Sequence, residues 1–181
     1  AMGHRIGYDK IAVMARSLGL GEKFDLPVVS QSYGTVPDSA WKNRRFHESK
    51  GFLERPDWTA SDTLNASIGQ GFLILNPLQL AIMAGRIAGG RNIDPPLLGI
   101  GKEPAPLLGM DPKHLEIVRG GMWEVVNGDG TAGASRLQVP GVEMCGKTGT
   151  AQGRKIVGTQ RGQSGDWKYR DHGLFVFFAP Y

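Results

Sequence analysis

The sequence predicts a mixed α/β fold of the α+β kind, with helices covering a sheet. Three observations carry this expectation. Apolar residues recur at helical spacing in residues 8–18, 77–88 and 112–126. Val142 and Met144 alternate with Glu143 and Cys145, as in a half-buried strand, and the strand runs on through residues 146–152. Leu174-Phe175-Val176-Phe177-Phe178 reads as a second strand, apolar on both faces. With 181 residues, 40% hydrophobic and 21% charged, the chain is long enough for one globular domain with a real core, and a disordered class is excluded.

The first helix, residues 8–18, sets Ile11, Met14, Ala15 and Leu18 on one face, and Gly19 is positioned to end it. From residue 21 to residue 61 the pattern dissolves into Pro, Ser, Gly and charge, so a long loop is expected. Within it, Lys42-Asn43-Arg44-Arg45 offers either an anion site or a solvated basic turn. The strongest helix follows. Asn76 can cap it, Pro77 suits its first position, and Gly89-Gly90 can close it. Only Gln79 and Arg86 are strongly polar in residues 77–88, and they share one line of the helix, so nearly every other face needs covering by protein. Burial of Leu78, Leu80, Ile82 and Ile87 contributes about 2 kcal/mol each. The tight turn Ile68-Gly69-Gln70-Gly71 feeds this helix.

Asp111 and Pro112 start the third helix, with Leu115, Val118, Met122 and Val125 at helical spacing and Asn127-Gly128 as its stop. Gly120 and Gly121 inside it cost about 1 kcal/mol each relative to Ala, which points to another backbone close by. A turn, Gly128-Asp129-Gly130-Thr131-Ala132, then leads towards the 142–152 strand.

Composition leaves the partner open. A net charge of +4 and an isoelectric point near 9.3 permit an acidic partner such as nucleic acid, anionic lipid or a carboxylate-bearing polymer, and select none. The single cysteine, Cys145, excludes an internal disulfide and a cysteine-rich metal site, and a small strand residue is the favoured reading over a reactive thiol. The most apolar stretch, residues 72–88, is interrupted by Asn76, Pro77, Gln79 and Arg86 and reads as a buried helix, not a bilayer crossing. The opening Ala1-Met2-Gly3 reads as a cloning remnant, and hence the chain as part of something longer.

The chemistry concentrates in Gly146-Lys147-Thr148-Gly149-Thr150. A cation, two hydroxyls and a glycine suit an anion: Lys147 brings charge, Thr148 and Thr150 bring donors, and Gly149 admits a ligand close to the backbone. Two motifs overlap here. Gly141 to Thr148 matches the P-loop pattern, the nucleotide-binding alternative, but Gly149-Thr150-Ala151-Gln152-Gly153 is a poor helix start, and the nearest second acidic motif for magnesium, Leu107-Leu108-Gly109-Met110-Asp111, runs into a helix start at Pro112. Lys147-Thr148-Gly149 also matches the Lys-Thr-Gly of serine-acylating penicillin-binding proteins and beta-lactamases, where it lies on a sheet strand bordering the active site.

The second match extends further. Thr63-Leu64-Asn65-Ala66-Ser67-Ile68-Gly69-Gln70-Gly71, residues 146–152, and Asp171-His172-Gly173 through Tyr181 resemble, in the same order, the penicillin-binding protein 2 family, the elongation-specific class B transpeptidases. The likeness covers most of the chain. It implies a partial penicillin-binding protein/beta-lactamase-like fold, with helices on an antiparallel sheet that is incomplete here. Residues 1–181 would form a single domain lacking the nucleophile motif upstream and the last strand and helix downstream.

Acyl transfer is the activity that the resemblance implies. A serine attacks the penultimate D-alanine carbonyl of a peptidoglycan stem peptide ending in D-Ala-D-Ala, D-alanine leaves, and an amine of a neighbouring stem resolves the ester. Beta-lactams imitate the donor. Thr148 and Thr150 would hold the substrate carboxylate, and the Thr150 N–H would join the oxyanion hole, where one lost donor costs about 2.7–4 kcal/mol. Lys147 would assist proton movement as the catalytic residue, Gly149 would leave room for strand-like docking, and Gln70 and Gly71 would sit near the site wall. The resemblance implies no metal, cofactor or nucleic acid. It implies a membrane glycan polymerase and elongation complex as partners, and a place on the periplasmic face of the inner membrane, held by an N-terminal segment outside this chain.

Ser39-Ala40-Trp41-Lys42 fits Ser-x-x-Lys, and Ser61-Asp62-Thr63 nearly fits Ser-Asp-Asn, so a self-sufficient acylating enzyme or beta-lactam sensor using Ser39 is the other alternative. It is disfavoured because the residues after Ser39 are charged enough that nothing there is expected to be buried. The basic stretch after Gln152 reads as an active-site rim or a solvated hairpin loop.

Overall fold

The computed structural model describes residues 2–95, 104–151, 167 and 170–181. The expected basic loop after Gln152 lies outside them. Six α-helices are described, α1 (Met2–Ile6), α2 (Tyr8–Ser17), α3 (Ser39–Glu48), α4 (Ala60–Ala66), α5 (Pro77–Gly89) and α6 (Pro112–Asn127), with a 3-10 turn at Gly133–Ser135 and two strands, β1 (Cys145–Ala151) and β2 (His172–Phe178). They fall into two compact units, Ala1–Met83 with Asp94–Ile100, and Ala84–Ile93 with Gly101–Tyr181.

In the first unit, Tyr8, Ala12, Leu20, Val36 and Ala66 form the core, and Tyr8 stacks on Trp58 with ring centroids 5.1 Å apart. The buried line of α2 is therefore Tyr8, Ile11, Ala12 and Ala15, and Met14 lies outside it, 48% exposed. Gly19 ends the helix as expected. Its φ is 90°, its N–H donates to Arg16, and that of Leu20 reaches back to Ala15 at 3.1 Å, the paired bonds of a Schellman cap. Gly3 packs onto α4, since a Cβ there would stand 2.1 Å from Ser67 Oγ. Met2 and Gly3 thus belong to α1 of the fold.

Residues 21–61 are not one long loop. Asp38 caps α3 by accepting from the Trp41 N–H at 2.7 Å, and Thr59 and Asp62 form a reciprocal capping box on α4. Both caps are legible in sequence as polar residues ahead of a helical turn, but polar side chains on most of α3 hide its periodicity. Lys42 is 4% exposed, and its ammonium donates to the Asp62 carboxylate at 2.7 Å and to the Asp57 carbonyl at 2.8 Å. The expectation that nothing after Ser39 is buried fails here, because one ion pair with an added carbonyl replaces the water that the ammonium loses. Lys42 also leaves the supposed basic patch, while Arg44 and Arg45 stay on the surface.

Helix α5 ends as predicted but buries its polar line. Asn76 caps it, accepting from the Gln79 N–H at 2.9 Å. Gln79 is fully buried. Its amide donates to the carbonyls of Glu22 and Tyr33 at 2.9 and 2.8 Å, and its oxygen receives the Asn76 N–H. In the second unit Arg86, 2% exposed, donates from Nε to the Ile93 carbonyl at 3.0 Å. Each polar residue secures irregular backbone that has no ladder of its own.

The second unit packs α6 on the strands. Val126, Ala132 and Met144 form its core, with Val125 and Phe175 against them. Val126 takes the buried place expected for Val118, which is 46% exposed. A Cβ on Gly120 or Gly121 meets nothing within 4 Å among the described residues, so the expected close backbone is absent there. The close approach falls at Gly130, where a Cβ would stand 2.3 Å from Val125 Cα. Strands β1 and β2 pair antiparallel, with Cys145 opposite Phe178 and Ala151 opposite His172. The β2 strand is less buried than its composition suggests, with Phe177 55% exposed.

Cys145 is fully buried, and burial, with Glu143 and Glu116 nearby, pushes its thiol up to about 11. About one molecule in a thousand then carries the thiolate at pH 8. We predict no iodoacetamide adduct in the folded protein at that pH and full labelling in urea, measured by intact mass. Rapid labelling of the folded protein would contradict the packing described.

Candidate active site

Strand β1 carries the whole Lys147-Thr148-Gly149-Thr150 group in extended backbone. Lys147 and Thr148 are its third and fourth residues, so a phosphate-cradling turn opening a helix at Thr148 is not formed, and the P-loop alternative fails on geometry. Among the described residues β1 pairs with β2 on one edge only, which leaves its other edge open to an extended partner. Alternation along the strand divides the group. Thr148 and Thr150 share one face with Gly146, while Lys147 and Gly149 share the other. The register confirms the division: Thr148 lies opposite Phe175, which packs into the α6 core.

Two glycines in β1 serve different ends. A Cβ on Gly146 would meet the Phe175 ring at 2.6 Å, so this glycine is required by the chain's own packing. Among the described residues a Cβ at Gly149 would meet only Leu174 Cβ at 3.7 Å, an ordinary contact. The described residues tolerate a side chain at Gly149, so none of them demands a glycine there.

The turn before β1 joins the site. Thr131 Oγ1 and Thr148 Oγ1 are hydrogen-bonded at 2.7 Å. Sequence reading placed this turn near the strand but singled out no residue in it. Asn127 ties α6 to the strand's approach, donating from Nδ2 to the Met144 carbonyl at 2.9 Å. Lys147 Nζ donates to the Thr148 carbonyl at 2.8 Å. Gln70 and Gly71 belong to the first unit, where the Gln70 N–H donates to Asn65 at 2.9 Å and Gly69 and Gly71 both take positive φ. The tight turn is therefore confirmed. Gly71 also borders an open cavity of about 500 Å³ with Trp41, Phe72 and Arg45.

Ser39 sits at the start of α3, yet its hydroxyl donates to the Asp9 carboxylate at 2.7 Å while Lys42 is held by Asp62 and Asp57. Serine and lysine each have other partners. Among the described residues no group of His, Cys, Asp and Glu is arranged to hold a metal.

An antiparallel strand pair packed on α6, with Lys-Thr-Gly on an edge left open among the described residues, fits a transpeptidase domain, and the chain belongs to the penicillin-binding protein transpeptidase domain family, whose model matches residues 1–181. Its relatives narrow the class. The chain is 29% identical to the peptidoglycan D,D-transpeptidase MrdA of Acinetobacter baumannii and 27% identical to that of Haemophilus influenzae, covering 99% of this chain in both comparisons. It spans 27% and 29% of those proteins' lengths. Among solved structures, it resembles the penicillin-binding protein PBP2 of Helicobacter pylori, determined in complex with MreC, with a TM-score of 0.77 and 33% identity over 99% of this chain and 31% of that one. Pseudomonas aeruginosa PBP2, determined in complex with WCK 5153, gives a TM-score of 0.68 and 28% identity over 97% of this chain and 37% of that one.

Proposed function

We propose that this chain forms one wall of the active site of a peptidoglycan D,D-transpeptidase that works through a serine acyl-enzyme and is acylated by beta-lactams. The observation that carries the reading is the strand-borne Lys147-Thr148-Gly149-Thr150 on an open edge, in a chain matched throughout by the transpeptidase family. A stem peptide would dock along β1 as an added strand, with main-chain bonds giving affinity and Gly149 leaving the space. Thr148 and Thr150 would present hydroxyls to the terminal carboxylate from one face, and the Thr150 N–H would serve the oxyanion hole. Lys147 would raise the positive potential and assist proton transfer. Gln70 and Gly71 would contribute the wall near the donor.

The nucleophile in this reading is a serine outside the chain, so the 181 residues alone do not turn over. The MrdA relatives support the stem peptide as substrate, and the Helicobacter pylori complex supports an elongation-complex partner for the whole protein. Placement at the periplasmic face of the inner membrane belongs to the same reading. No described helix is long and apolar enough to cross a membrane, so the anchor would be supplied by another segment.

Incubation with a fluorescent penicillin followed by intact mass measurement tests the reading. A stable adduct is expected on the full-length protein and none on the 181-residue chain. An adduct on Ser39 would overturn it.

A further inference from the structure

The bond between Thr131 and Thr148 joins two hydroxyls on separate elements. Two hydroxyls carry two protons, and one is spent in the bond between them. Their pair therefore offers one further donor, and the Thr148 proton is that donor only when Thr131 gives its own to Thr148. We propose that Thr131 is a positioning residue which donates to Thr148 Oγ1 and so aims the Thr148 O–H at the carboxylate of the acyl donor. This rests on the reading of β1 as the carboxylate-binding strand.

The turn is built to hold Thr131 in place. On one side Gly130 is pressed against Val125, where any side chain would overlap the helix backbone. On the other, Ala132 is 4% exposed and its N–H donates to the Val125 carbonyl at 2.9 Å. The partner is fixed as well, because β1 is paired along its length with β2 and tied to α6 through Asn127. Both hydroxyls thus sit on backbone that does not need to reorganise when an anion arrives. Stability alone is a poor account of the bond. Thr131 is exposed and Thr148 partly so, and water would serve either hydroxyl nearly as well.

The test is the second-order rate of acylation of the full-length protein by a penicillin and by its carboxylate methyl ester. Wild type is expected to favour the acid. Thr131→Val keeps the shape and loses the hydroxyl, and should slow the acid about tenfold while leaving the ester within twofold. Thr131→Ser should restore the acid rate to within about threefold of wild type. Retention of the full preference for the acid in Thr131→Val overturns the proposal, and so does an equal loss with acid and ester, the mark of a structural role. Wild type that reacts with neither compound, or with both alike, overturns the carboxylate reading of β1 as well.

Discussion

Lys42→Met is expected to lower stability by about 3–5 kcal/mol, towards the lower end because the Asp62 side chain is 14% exposed, and urea denaturation at pH 7 measures it. The loss arises from what is left behind. Asp62 keeps its place in the α4 cap but loses the cation that neutralises it, and the Asp57 carbonyl loses its donor. The wild-type acid limb carries the same information. Burial alone would raise the Asp62 carboxyl, but hydrogen bonds from Lys42 and Thr59 outweigh it and hold the group below its ordinary 3.8. A carboxyl depressed in the folded state contributes stability that is present above the unfolded value and is lost as pH falls through the folded one. In Lys42→Met part of that depression is gone, so stability should fall less steeply below about pH 5. An unchanged urea midpoint would show that the pair is solvated.

Gln79→Leu is expected to cost about 2–4 kcal/mol, since the carbonyls of Glu22 and Tyr33 lose donors and the Asn76 N–H loses an acceptor around a fully buried side chain. Gln79→Glu separates this from shape. At pH 7 it aims a buried carboxylate at two carbonyl oxygens, and it should be worse than Leu. Burial raises such a carboxyl, so the variant should gain stability as pH falls and the protonated group regains one donor. If Gln79→Glu is as stable as wild type, the amide is not the tie described.

The candidate site was legible to an uneven degree. Lys147, Thr148, Gly149 and Thr150 are a contiguous run, and the poor helix start after Thr148 correctly favoured a strand over a nucleotide loop. Thr131 could not have been found this way: it lies 17 positions from its partner, and only the packing of Gly130 and Ala132 on α6 brings it there. Nor could the division of Lys147 from the threonines be used before the register assigned the core to the face with Phe175. Ser39 is disfavoured for a different reason from the one its neighbours suggest. Its neighbour Lys42 is buried after all, but the ammonium is taken by Asp62.

Local chemistry wrote the ends of α2, α5 and α6 and the extended form of β1, because a cap, a proline, a glycine or a period acts within a few residues of itself. Distant contact decided which polar groups went inside. Lys42, Gln79 and Arg86 look solvent-facing by composition and are buried because each meets carboxylate or carbonyl oxygens from another segment, at 2.7–3.0 Å. Whether a polar group is worth burying depends on the partner waiting for it, and that partner is set by the tertiary fold.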